Sequence, residues 1–154
     1  VLFVDPWQIG ASCQEFTNEF NATDGTFQQH FSVHYGRIPF SQTYIFEQDP
    51  SGEKGVYTKY LTGAKALLQL PTVVVDVTES DGQYSLMTTY TKKVVVGKAS
   101  VQELRFSSRT PSLDNATLQG MVDVARKVGL NEDIIAKLKP VNQTDCPSLA
   151  MVLV

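Results

Sequence analysis

The chain has 154 residues, of which 42% are hydrophobic and 19% charged, with a formal net charge of -3. This excludes intrinsic disorder, which needs a chain poor in apolar residues, and two cysteines are too few for a small disulfide scaffold. No apolar run approaches the ~20 residues of a membrane-spanning helix, and Lys92-Lys93, the densest basic pair, supplies no positive face for nucleic acid. What remains is one globular domain over 1–154, large enough to bury a core.

The first hundred residues read as strands. Cys13 to Phe20 alternates, and Asn21 to Thr26 holds Asp24-Gly25, a hairpin signal. Phe27, Gln29, Phe31, Val33 and Tyr35 then share a face opposite His30 and His34, and Gly36 to Pro39 breaks the run. Gln42 to Glu47 sets Tyr44 and Phe46 against Thr43 and Ile45, and Asp49-Pro50-Ser51-Gly52 is a turn. Val56 to Leu61 resumes, with Tyr57 and Tyr60, followed by an apolar stretch from Ala66 to Leu70.

Thr72 to Thr78, with Val73-Val74-Val75, is the clearest strand. Asp76 interrupts it and is expected to face solvent. Ser80-Asp81-Gly82 turns the chain into Tyr84 to Thr91, where Leu86, Thr88 and Tyr90 lie on one parity and Met87 and Thr89 on the other. Val94-Val95-Val96 extends that strand before Gly97, and Val101 to Ser108 closes the series. Seven to nine strands in this rhythm make an antiparallel barrel or sandwich. The period then changes. Asp114 caps a helix in which Leu118, Met121, Val122, Ala125 and Val128 recur at helical spacing, and Gly129 ends it. Glu132 to Leu138 adds a short helical turn. The apolar tail from Pro147 to Val154 has no assignment.

Cys13 and Cys146 are either two free thiols or one bridge between the N-terminal segment and the tail. The sequons at Asn21, Asn115 and Asn142, together with the even cysteine count, lean towards the bridge and towards a secreted, glycosylated chain. Val1 to Val4 is followed at once by Asp5-Pro6, which is not a signal peptide and is what a processed secreted chain begins with.

This order of strands, helix and C-terminal cysteine resembles the lipocalin family over nearly the whole chain. Ser108-Arg109-Thr110-Pro111-Ser112-Leu113 looks like the family's third signature, and Val122 to Cys146 is similar to its helix and tail. Thr78 to Tyr84 sits where the family has its Thr-Asp-Tyr turn. Cys13-Gln14-Glu15-Phe16 resembles the cysteine-bearing second strand of insect members, whose partner is the C-terminal cysteine. The departure is the first signature, Gly-X-Trp. Trp7 is preceded by Asp5-Pro6 and stands only five residues before Cys13. The closed-end packing of Arg109 over Trp7 is therefore atypical if present.

The resemblance implies a mainly β fold: an eight-stranded up-and-down barrel with one C-terminal helix on its outside. It also implies an extracellular, non-enzymatic carrier of one small hydrophobic molecule: a bilin, retinoid, fatty acid, pheromone or haem. No cofactor is required for such a role. The strand aromatics are the candidate ligand contacts: Phe27, Phe31, Tyr35, Tyr44, Phe46, Tyr57, Tyr60 and Tyr90, with Met87 beside them. Alternation shows which residues share a face and not which face is inward. His30 and His34 lie ~13 Å apart on a strand, too far to share one metal, so no metal site is expected. A rival reading is a secreted interaction protein, such as a protease or host-factor inhibitor, acting through its outer loops with a filled barrel. Neither reading fixes the oligomeric state.

Overall fold

The computed structural model describes residues 2–4, 10–94 and 100–146. Its strands are β1 (Leu2–Val4), β2 (Ala11–Asn21), β3 (Thr26–Tyr35), β4 (Ile38–Gln48), β5 (Val56–Leu61), β6 (Leu70–Ser80), β7 (Gln83–Val94), β8 (Ser100–Ser108) and β9 (Lys139–Pro140), with helices α1 (Asn115–Lys127) and α2 (Glu132–Ile135) before β9. They form one sheet in the order β2-β3-β4-β5-β6-β7-β8-β1-β9. From β2 to β8 each strand pairs antiparallel with the next, which is an up-and-down meander. This is the expected curled antiparallel sheet with an outer helix; the ninth strand is the two-residue β9.

The turns follow from side-chain chemistry. Asn21 Oδ1 accepts from the Thr23 amide and Asp24 Oδ1 from the Thr26 amide, each at 3.0 Å. Asp81 and Gly82 both have positive φ, 53° and 73°, the conformation a two-residue hairpin turn requires. Two expectations shift. The chain breaks only at residues 36–37, because Pro39 is tolerated near the start of β4. The apolar stretch Ala66 to Gln69 is not strand: Leu67 N bonds Ala64 O at 3.0 Å, winding the segment into turns until β6 begins at Leu70.

One end of the sheet is drawn back onto the other. Cys13 N donates to Asn142 O at 2.8 Å, Ser12 and Asn142 form a parallel bridge, and Cys13 is disulfide-bonded to Cys146 with Cα atoms 5.3 Å apart. The bridge reading of the two cysteines is thus the one the chain adopts. Trp7, Val95 to Gly97 and the tail from Pro147 lie outside the described residues.

Helix α1 begins where Asp114 accepts from the Thr117 amide at 2.8 Å and ends beside Gly129, whose φ is 83°. Its Met121 and Ala125 pack with Ile134 and Ile135 of α2 on Leu104 and Phe106 of β8. That contact settles the faces. Even-numbered residues of β8 point outward to the helix, so Glu103, Arg105 and Ser107 point into the barrel.

Candidate functional site

Register carries the inward face around the sheet. Phe31 pairs with Phe16 and Gln42, and Phe27 with Phe20 and Phe46. Lys59 pairs with Phe46 and Leu70, Thr72 with Tyr57 and Thr91, and Met87 with Ser107. Six of the expected contact residues therefore line the lumen: Phe27, Phe31, Tyr44, Phe46, Tyr57 and Met87. Phe27 stacks on Phe46 with centroids 4.4 Å apart, and Tyr57 meets Phe27 edge-on at 5.1 Å. These three rings make an aromatic wall near the end where the turns 22–25 and 49–55 lie.

Above them stands a buried ionic group. Lys59 Nζ lies 3.1 Å from Glu103 Oε2 and Arg105 Nη2 lies 2.6 Å from Glu103 Oε1. Arg105 Nη1 also donates to Gln29 Oε1 at 3.2 Å, and Gln29 Nε2 to Asn18 Oδ1 at 3.1 Å. The Lys59 ammonium sits 5.0 Å over the Tyr44 ring. The Arg105 guanidinium lies 5.9 Å from Phe16 and 5.4 Å from Phe31. Burial acts to raise the Glu103 carboxyl pKa, but Arg105 and Lys59 outweigh it and hold the group down to about 2. Two inward atoms of this region, Arg105 Nε and Ser107 Oγ, are buried with no hydrogen-bond partner among the described residues. Val33, Phe40, Leu61 and Leu70 continue the inward parity toward the opposite end, where Phe40 is half exposed.

The remaining candidates lie elsewhere. Tyr60 is on the outer face. Its hydroxyl donates to Glu47 Oε1 at 2.6 Å, and Lys65 covers its ring at 5.0 Å. Burial, reinforced by Glu47, pushes the Tyr60 phenol up to about 12. Tyr90 pairs with Leu104 and packs in the helix-covered cluster, also outside the lumen. Tyr35 shares the inward parity but stands exposed at the rim. Arg109 is exposed, its Nε donating to the Tyr84 carbonyl. Its proposed partner Trp7 lies outside the described residues.

Asp76 pairs with Thr88 on the outer face, after a register shift between Val74 and Asp76. His30 is outward too, with Nδ1 3.0 Å from Thr43 Oγ1. Among the described residues no group of three His, Cys, Asp or Glu is placed to hold a metal. Asn115 and Asn142 are exposed, and Asn21 is half-buried, its Nδ2 donating to Asp24. Two shallow grooves, of about 420 and 640 Å³, lie outside the lumen along the two helices and the segment around β9.

Sequence reading missed the ionic group. One signal was present: Lys59 is in phase with Tyr57 and Leu61, and Glu103 and Arg105 are in phase with each other. Charged residues in a strand normally face solvent, and that rule hid them.

No family model matches the chain, and no curated protein matches it. The similarity is to solved structures. Lobster apocrustacyanin A1 aligns with a TM-score of 0.69 at 15% identity, covering 95% of this chain and 75% of the other. The siderocalin Ex-FABP aligns at 0.66 and 15% identity, covering 100% and 93%. A deswapped mutant of bovine odorant-binding protein aligns at 0.60 and 13%, covering 96% and 93%. All are lipocalins, and the chain has the lipocalin fold.

Proposed function

We propose that the protein is an extracellular, non-enzymatic carrier that holds one small, mainly apolar molecule with a polar handle inside its barrel. One observation supports this most directly. The lumen combines aromatic walls with two buried polar atoms, Arg105 Nε and Ser107 Oγ, that have no hydrogen-bond partner among the described residues. Buried polar groups are almost always hydrogen-bonded, so a guest with an acceptor placed there completes the site. A fatty acid or retinoid matches this better than a large planar pigment. Bilin and haem remain tests by colour, since either gives a visible absorption band. The bovine neighbour is named for odorant binding and Ex-FABP for dual ligand specificities. Export of the chain is supported by its disulfide and by its sequons. Burying ~200–300 Å² of apolar ligand surface yields on the order of 5–7 kcal/mol before association costs.

Titration with a fluorescent fatty acid and with retinol tests the reading: saturable one-site uptake is expected. Ser107→Ala should weaken uptake by about three- to tenfold, the worth of one hydrogen bond. Absence of saturable uptake overturns the carrier reading. It would favour the second one, an interaction protein with a filled barrel. The span of Lys59, Glu103, Arg105 and Gln29 across the lumen supports that alternative.

A further inference from the structure

The two ends of the barrel differ in character. The meander places the turns 22–25, 49–55 and 81–82 at one end, and the turns 36–37 and 62–69 with the last residues of β7 at the other. The first three turns hold Asp24, Asp49, Glu53 and Asp81 against Lys54 alone. At the other end, residues 35–41, 61–70 and 91–94 hold Arg37, Lys65, Lys92 and Lys93 and no Asp or Glu. Lys65 is paired with Glu47 of β4, and Lys93 Nζ donates to the Gln69 carbonyl, tying the end of β7 to the 62–69 segment. Arg37 and Lys92 are exposed.

Apolar tips stand among these cations. Ile38 is 71% exposed, Leu67 85% and Val94 73%, one on each of three chain segments around the mouth. A single exposed aliphatic residue needs no explanation. Three at one end, on described segments that hold Arg37, Lys65, Lys92 and Lys93 and no Asp or Glu of their own in a chain of net charge -3, form a pattern; Asp133 of α2 lines the groove that Lys92 shares. Strands lie about 4.8 Å apart, so the Ile38 and Val94 tips, three strands apart, stand about 15 Å apart along the sheet. Points spread in this way enter a fluid boundary one by one, whereas a protein partner would have to present a matching hollow for each.

We propose that this end of the barrel docks on an anionic lipid surface. Ile38, Leu67 and Val94 enter the boundary of the acyl chains, while Arg37 and Lys92 meet lipid phosphates. The acidic turns at the far end are repelled by the same surface, which orients the molecule mouth-first. Docking of this kind does not depend on what the lumen holds.

Co-sedimentation of the oxidised chain with vesicles tests the proposal. Vesicles containing phosphatidylglycerol should carry the protein down, pure phosphatidylcholine vesicles should not, and added salt should release it. Arg37→Gln and Lys92→Gln should each lower the apparent affinity about fivefold, and Leu67→Asp should lower it further, with thermal midpoints unchanged. Equal binding to both vesicle types, or binding untouched by these variants, overturns the proposal. So does concentration-dependent self-association that Leu67→Asp abolishes, because the tips would then belong to a contact between two copies.

Discussion

Glu103 shows how one side chain constrains the interior. Burial raises its pKa, and Arg105 and Lys59 bring it down to about 2 from the ordinary 4.5. A carboxylate depressed in the folded state adds stability that is complete above its unfolded pKa and is lost as pH falls through the folded value. Its share should therefore disappear between about pH 4.5 and 2. Glu103→Gln removes the anion the two cations share. It should lower the unfolding free energy at neutral pH by about 3–5 kcal/mol and flatten part of the acid limb. Denaturant unfolding at several pH values checks both effects, and an unchanged acid limb would remove Glu103 from the account. A second residue-scale contrast separates the outer and the lumen face of the sheet, at Tyr60 of β5 and Phe27 of β3. Tyr60→Phe costs the bond to Glu47, about 1 kcal/mol of stability, and should leave ligand affinity unaltered. Phe27→Ala, on the lumen wall, should weaken ligand binding in the same fluorescence titration.

At the scale of elements, much was legible because local chemistry dictates it. Asp81-Gly82 marks its hairpin through backbone conformation, and Asp24-Gly25 through the positive φ of Gly25 together with the side-chain bonds of Asn21 and Asp24. Asp114, the spacing of Leu118, Met121 and Ala125, and Gly129 delimit α1 by capping and period. Inward and outward faces were not legible on β5, β7 and β8, and the reason is physical. Each of these strands is covered on both sides, by the lumen and by a helix or the 62–69 segment, so the more apolar parity need not be the inward one: on β8 Leu104 and Phe106 face the helices while Glu103, Arg105 and Ser107 face the lumen. Tyr60 and Tyr90 resemble Tyr57 in sequence and differ only in what lies over them. Of the apolar stretch Ala66 to Leu70 only Leu70 joins a strand; the amides of Leu67 and Leu68 bond back to Ala64 and leave Leu67 in solvent. The importance of the helix contact can be measured. Met121→Ala should cost about 2–5 kcal/mol through the cavity it opens against Leu104 and Phe106. Asp114→Ala should cost about 1 kcal/mol through loss of the cap. If Met121→Ala leaves the unfolding midpoint in place, α1 does not carry the outer core.

For the whole molecule, closure depends on a few contacts between β2 and the segment after β9. The disulfide spans 133 residues, and the chain-entropy model assigns such a loop about 4–5 kcal/mol. Cys146→Ser should lower the thermal midpoint markedly, while ligand at a hundred times its dissociation constant should restore about 2.7 kcal/mol. Differential scanning calorimetry with and without ligand reads both shifts.

The same staple decides what a protease can release. Lys54 is exposed in the turn between β4 and β5, and Cys13 and Cys146 lie on opposite sides of it. Trypsin cutting after Lys54 would make two polypeptides that remain one molecule, migrating as a single band without reductant and as two with it. Cleavage at any turn between the two cysteines has the same outcome, so a nicked population would retain its barrel and pass unnoticed on a non-reducing gel.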